Sequence, residues 1–195
     1  MILDGPKAKL IPMNLGTHDT AVEELLVGIC LLRIPKLAEF NALNSKLTTR
    51  EFINQINEKQ EIIDELMSGH AHLLARRHAD GLLAYFQTLE DTLTFGLAAS
   101  SSGLNDSLAT HNQWRHLVVG IGYARLKFSP KHRQFFGFEQ DLLMDISTNL
   151  LESTRPTRFL TERAKEALLE PRESDLNRRM LVLGGRKVNY YCYLH

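Results

Sequence analysis

The spacing of the histidines can indicate a metal site or a pH-sensitive site, because imidazole ligates metals and titrates near neutral pH. The stretch GHAHLLARRHADG contains His70, His72 and His78. On a helix, His72 would lie about 200° and His78 about 80° around the axis from His70. These side chains therefore do not converge as an i, i+4 ligand pair would. We interpret them, and equally His111 and His116, as solvated or singly hydrogen-bonded histidines.

Short motifs typical of catalytic, nucleotide-binding and redox sites are absent from the sequence. It contains no G-x-S-x-G, no G-x-x-x-x-G-K-[ST], no G-x-G-x-x-G and no C-x-x-C. Neighbouring acids, such as Glu23 with Glu24 and Glu90 with Asp91, are typical of solvated helix faces. The sequence therefore favours a non-enzymatic protein but does not exclude enzymatic activity.

Composition and charge are those of an ordinary globular domain. Of the 195 residues, 44% are apolar and 24% charged, and 23 cations balance 23 anions. A net charge of zero gives no overall field that would attract nucleic acid or an anionic membrane. The first residues do not resemble a secretion signal, and Cys30 and Cys192 lie far apart in sequence, so we expect reduced thiols and a cytoplasmic location.

Hydrophobic spacing and capping residues predict the elements that would position these side chains. We expect a mainly α, single-domain helical bundle with a small C-terminal β-hairpin. An irregular N-terminal arm covers residues 1–17, the helical domain 18–170 and a C-terminal extension 171–195. The capping boxes Thr20-Ala-Val-Glu23 and Thr48-Thr-Arg-Glu51 would open the first two long helices. The further helices are expected at residues 70–95, 107–127, 130–151 and 157–169, with a loop at 96–106.

Three segments, in order along the chain, resemble the globin superfamily, including its bacterial sensor branch. They are the proline corner LLRIPKLAEF with Phe40, the stretch 70–95 with His78, and the helix-corner-helix sequence YARLKFSPKH. The resemblance implies a globin-like fold with a haem pocket formed by Phe40, His78 and Tyr123, with His116 as an alternative ligand. Because Tyr123 stands where globins have the proximal histidine, we expect the protein to be isolated without haem.

Gly120 and Gly122 lie within sequence that we interpret as helical. A glycine inside a helix costs about 1 kcal/mol relative to alanine, so two of them within three residues need a compensating role. Either a flat cofactor or a crossing helix could approach closely at this point. We favour the crossing helix.

The C-terminal sequence RRMLVLGGRKVNYYCYLH differs in character from the rest of the chain. Two glycines between β-prone runs predict a hairpin, and no acidic residue follows Asp175. Tyrosine and arginine are enriched at protein interfaces. We predict an interface with a protein partner or a second copy, formed by Arg178, Arg179, Arg186, Lys187, Tyr190, Tyr191 and Tyr193.

The function expected from the sequence is a non-enzymatic helical interaction or sensor module. Two alternatives remain open. One is a haem-binding, globin-like sensor. The other is a nucleic-acid-binding protein that uses the basic, aromatic tail, where tyrosines would stack on bases and cations would contact phosphates.

Overall fold

The computed structural model describes residues 22–33, 49–78, 81–101, 117–150, 157–168 and 176–193. These residues form one mixed sheet of eight strands and four helices. The strands are β1 Glu23–Arg33, β2 Leu74–His78, β3 Gly81–Phe86, β4 Val118–Ser129, β5 Gln134–Phe136, β6 Thr157–Thr161, β7 Leu176–Leu183 and β8 Arg186–Tyr193. The helices are α1 Thr49–Gly69, α2 Leu89–Ser100, α3 Phe138–Leu150 and α4 Glu162–Glu166. The mainly α bundle predicted from the sequence is therefore wrong, and the fold is α+β.

The first half of the fold has the order β1-α1-β2-β3-α2-β4. Its four strands lie side by side as β2-β3-β1-β4, and all neighbours are antiparallel. This arrangement is the split β-α-β unit of ferredoxin-like folds, in which both helices cover one face of the sheet.

The second half extends the sheet from β4. Strand β6 pairs parallel to β4, and β8 and then β7 follow, both through antiparallel pairing. A parallel neighbour requires a crossover, and α3 lies in the connection between β4 and β6. The short strand β5 pairs with the end of β4, from Lys127 to Ser129.

Each face of the sheet packs against different helices. On the first, which we call the α3 face, the buried side chains are those of Val27, Ile29, Leu31, Phe159, Leu142, Leu143 and Ile146. On the opposite face, which we call the α1–α2 face, they are those of Cys30, Leu32, Ile63, Met67, Phe95 and Ala99. The two packed faces bury every residue of β1 from Val27 to Arg33, and this run is apolar up to Leu32.

Three predicted helices are strands in the structure, and their burial explains the error. Residues 21–33 were expected to be helical, but β1 occupies this run. The expected helix at 70–95 contains β2, β3 and the start of α2, and the one at 107–127 overlaps β4. A short apolar run that is buried on both faces has no period of two, so its pattern alone does not distinguish a strand from a buried helix.

The turn between β7 and β8 is built on Gly184 and Gly185. Their φ angles are 54° and 79°, in the left-handed region that glycine adopts without steric cost. Leu183 pairs with Arg186 across this two-residue turn.

We predict that Gly184→Ala destabilises the protein by about 1 kcal/mol, because a Cβ disfavours the left-handed conformation. An added Cβ at Gly184 would meet nothing within 4 Å, so this cost comes from the backbone alone. Thermal unfolding measures the loss. Gly184→Asn is the matched control and should lose less, since asparagine tolerates this conformation; equal losses would contradict the backbone explanation.

Residues 1–17 lie outside the described part of the chain, so the division into arm, domain and C-terminal extension stays a prediction. Among the helices that the structure describes, none has the length and apolar character needed to span a membrane.

Candidate functional site

Helix α3 crosses the sheet where β4 carries two glycines. A Cβ at Gly120 would lie 2.5 Å from Cζ of Phe159 and 3.1 Å from Cδ2 of Leu143, and one at Gly122 would lie 3.0 Å from Cδ1 of Leu143. The two glycines therefore allow α3 to sit close to the strand. The crossing helix expected from this pair is present, but the glycines themselves belong to a strand.

Glu139, in the first turn of α3, is the buried carboxylate of this region. Its residue is only 2% exposed. The Thr161 hydroxyl donates a short hydrogen bond to Oε1, and the backbone N–H of Tyr123 also donates to this carboxylate. Arg163 Nε lies 4.0 Å from Oε2, although the arginine side chain is mostly exposed. Glu139 thus connects α3 to β4, β6 and α4.

Burial raises the pKa of Glu139, because removal from water penalises the charged carboxylate. The hydrogen bond from Thr161, the charge of Arg163 and the hydrogen bond from Tyr123 act in the opposite direction and lower it, and burial outweighs them. A titratable group with a perturbed pKa in a polar cluster is a candidate functional residue.

Helix α4 joins this cluster to the C-terminal hairpin. Thr161 caps the helix by accepting a hydrogen bond from the backbone N–H of Ala164 at 3.3 Å. One residue later, Glu162 Oε1 accepts a hydrogen bond from Asn189 Nδ2 of β8 at 3.1 Å. Lys165 Nζ lies 5.6 Å from the ring centroid of Tyr191, also on β8. The polar contacts therefore run from α3 through α4 to the hairpin.

The other end of α3 contacts a buried cation. Arg33, the last residue of β1, is 5% exposed, and its Nη1 lies 3.4 Å from both Ser147 Oγ and Thr148 Oγ1. Near the start of α3, the Tyr85 hydroxyl of β3 donates to Gln140 Oε1 at 2.7 Å. Polar contacts thus fix both ends of α3 on the sheet.

The structure does not bring together Tyr123 and His78, the two described residues of the expected haem pocket. Tyr123 is half-buried on β4, and His78 is exposed at the end of β2. Three strand spacings, about 14 Å, separate these strands in the sheet. His116 and Phe40 lie outside the described residues. The tertiary structure therefore gives no basis for a pocket shared by Tyr123 and His78.

Two of the histidines interact with backbone carbonyl groups. His70 Nδ1 is 2.8 Å from the carbonyl oxygen of Leu66, and His72 Nδ1 is 3.0 Å from that of His70. Within the segments that the structure describes, no three His, Cys, Asp or Glu side chains lie close enough together to hold a metal ion.

The residues predicted to form an interface have different environments on the hairpin. Arg178, Arg179, Arg186 and Lys187 are exposed, but Tyr190 is buried and its ring meets that of Phe159 edge-on. Tyr191 and Tyr193 are half-buried. The tyrosines thus hold the hairpin on the domain, and the arginines and the lysine face solvent.

Sequence reasoning missed an apolar surface beside these cations. The exposed side chains of Leu26, Phe136, Met180 and Val182 all lie on the α1–α2 face. The same face carries the exposed cations Arg125 and Lys127 of β4, Arg178 of β7 and Lys187 of β8. We call these eight residues the open band. On β4, the alternation of Arg125 and Lys127 with Ala124, Leu126 and Phe128 was a signal in the sequence for one exposed face.

The fold is that of nucleotide-cyclase domains. At a TM-score of 0.64 and 13% identity, 88% of this chain superposes on 92% of the guanylyl cyclase Cya2. A bacterial light-regulated adenylyl cyclase gives a TM-score of 0.65 at 12% identity, with 89% of this chain matching 52% of that one. The guanylate cyclase domain of RhGC from Catenaria anguillulae, in complex with GTP, gives 0.55 at 11% identity, with 88% and 98% of the two chains covered. No protein-family model and no curated protein sequence matches the chain.

These similarities overturn the globin-like prediction, because cyclase domains are built on an α+β sheet. They also overturn the predicted function. The non-enzymatic helical module and the globin-like haem sensor were inferred mainly from helices that are strands in the structure. The nucleic-acid-binding alternative was inferred from the basic, aromatic tail, and the cyclase-like fold does not support it. The structural neighbours are instead named as adenylyl and guanylyl cyclases, which are enzymes.

Proposed function

We propose that this chain is a nucleotide-cyclase-type enzyme whose substrate is a purine nucleoside triphosphate. The observation that carries this proposal is the match of 88% to 89% of the chain to cyclase domains at TM-scores of 0.64 and 0.65. That coverage is larger than either half of the sheet alone, so the match extends over parts of both. The GTP complex of one neighbour supports a purine nucleotide as the ligand.

The proposed reaction is an internal phosphoryl transfer. The ribose 3′-oxygen loses its proton and forms a bond to the α-phosphorus. The bond from that phosphorus to the oxygen bridging the α- and β-phosphates breaks. Pyrophosphate leaves, and the products are a 3′,5′-cyclic nucleotide and a proton. No co-reactant is consumed.

Pairing of two copies is part of this proposal. The open band supports it, since Met180 and Val182 are large apolar side chains that are 55% and 59% exposed. Two copies that meet through this band would bring cations of both chains close together. The triphosphate of a bound nucleotide would supply the compensating negative charge. Of the four exposed cations of the predicted hairpin interface, Arg178 and Lys187 belong to this surface, and Arg179 and Arg186 lie on the α3 face. A cytoplasmic location remains part of the proposal because ATP and GTP are cytoplasmic nucleotides.

The test is conversion of α-labelled ATP and GTP by the purified chain, in buffer that contains Mg²⁺ or Mn²⁺. We expect a labelled cyclic nucleotide and an equal amount of pyrophosphate from at least one of the two purine nucleotides. CTP and UTP are the matched controls. Equal conversion of all four nucleotides, or release of labelled monophosphate instead of a cyclic product, would contradict the proposal.

A further inference from the structure

We infer that Glu139 is a proton-responsive positioning residue that holds α3 against α4 and thereby fixes the C-terminal hairpin. This inference is independent of the proposed catalytic activity. It rests on a continuous set of contacts, beginning with the carboxylate in the first turn of α3. Thr161 and the backbone of Tyr123 both donate hydrogen bonds to it.

The contacts continue from Thr161 to the hairpin within α4. Thr161 caps α4, and the next residue, Glu162, accepts a hydrogen bond from Asn189 of β8. Lys165 lies over the ring of Tyr191 on the same strand. Because α4 contains only the five residues Glu162–Glu166, a shift at its cap would displace all of these contacts together. The hairpin should therefore respond to the state of Glu139.

The surroundings of Glu139 contain few groups that could compensate a change in its charge. On β4 the facing residue is Gly122, and on β6 it is Thr161. From β8, Tyr190 and Cys192 lie on the same α3 face, and burial raises the pKa of both, which keeps them neutral. Arg163 of α4 is the charged group that acts on the carboxylate. In the first turn of α3, Asp141 is exposed to solvent.

The direction of the pH effect follows from the raised pKa of Glu139. An acid whose pKa is higher in the folded state than in the unfolded chain stabilises the fold below its unfolded pKa, which is about 4.3 for glutamate. That contribution is lost as the pH rises through the folded pKa. Local opening that separates α3 from α4 and exposes this carboxylate to water should therefore become more favourable as the pH rises through the folded pKa.

Hydrogen exchange tests this inference on the full chain, with rates corrected for the intrinsic pH dependence of exchange. In the wild type we expect the backbone amides of α4 and β8 to lose protection as the pH rises, while β3 keeps its protection. Glu139→Gln, which is always neutral, should abolish this pH dependence. Asp141→Asn removes an exposed acid from the same turn and should behave as the wild type does.

Two further variants test the same contacts if Glu139→Gln folds poorly. Arg163→Gln changes an exposed side chain and removes a cation that lowers the pKa of Glu139, so the loss of protection should occur at higher pH. Thr161→Val should reduce protection in β8 about fivefold, the equivalent of one ordinary hydrogen bond. The inference is wrong if Glu139→Gln keeps the wild-type pH dependence, if Arg163→Gln leaves it unshifted, or if all strands lose protection equally.

Discussion

Gly28→Ala should destabilise the protein by about 3 kcal/mol, and lower its melting temperature by about 10 °C in a domain of this size. Gly28 lies in the middle of β1, where α2 packs directly on the strand. A Cβ at this position would overlap Thr92 Oγ1 and lie 2.7 Å from the carbonyl oxygen of Thr88. Because the second contact is with backbone, a change of side-chain rotamer does not relieve it.

Two further variants make this test specific. Gly69→Ala is the matched control, since an added Cβ there meets nothing within 4 Å, and its effect should be small. Thr92→Ala removes the overlapping oxygen, so Gly28→Ala combined with Thr92→Ala should lose less stability than the sum of the two single changes. Thermal and denaturant unfolding measure both results. Strict additivity, or a Gly28→Ala protein as stable as the wild type, would show that α2 does not approach β1 this closely.

The double change Met180→Asp and Val182→Asp should weaken self-association by about 100-fold or more, a loss of roughly 3 kcal/mol. Both side chains are exposed in the single chain, so the fold should not depend on them. In a pair joined through the open band they would be buried, and an aspartate there would carry a charge into an apolar contact. Sedimentation equilibrium measures the association, and thermal unfolding checks the fold.

Leu97→Asp is the matched control for this prediction. Leu97 is 54% exposed, close to the values for Met180 and Val182, but it lies on α2, outside the open band. The change should leave association as it is in the wild type. Association that is unaffected by the hairpin changes, or lost equally with Leu97→Asp, would exclude the open band as the pairing surface.

Local sequence rules predicted those elements that depend on local interactions. The second capping box preceded a helix, and α1 does occupy Thr49–Gly69. Two consecutive glycines predicted a tight turn, and Gly184 and Gly185 join β7 to β8. A helix start and a tight turn each depend on a few neighbouring residues, so a short stretch of sequence is enough to predict them.

The central strands were not predictable by the same rules, since their partners are distant in sequence. Strand β1 pairs with β3 and β4, which follow it by about 50 and 90 residues, and it is buried by helices on both faces. One signal was available in the β4 sequence ARLKF, where apolar and basic residues alternate, and burial in the structure has the same period. This period of two indicated a strand with one solvated face, but the Ser-Pro corner after it favoured a helical interpretation.

The candidate site could not be predicted from the sequence either. Glu139 comes 22 residues before Thr161, and only the crossover from β4 to β6 brings the two side chains together. Arg33 and Ser147 are 114 residues apart and meet at the other end of α3. Glu139 belongs to no recognisable motif, and an acid in the first turn of a helix is usually a solvated residue that interacts with the helix dipole. Burial raises the pKa of this carboxylate, and burial is a property of the tertiary structure.

Cyclic-nucleotide formation per chain, measured with α-labelled ATP and GTP over a range of protein concentrations, tests the central claim most directly. A cyclase-type enzyme that works as a pair should form labelled 3′,5′-cyclic nucleotide and pyrophosphate in equal amounts. Its activity per chain should rise with protein concentration until pairing is complete. Leu97→Asp should keep this behaviour, and the Met180→Asp, Val182→Asp chain should lose it. A folded, associated wild-type chain that forms no cyclic nucleotide from either purine triphosphate would contradict the account.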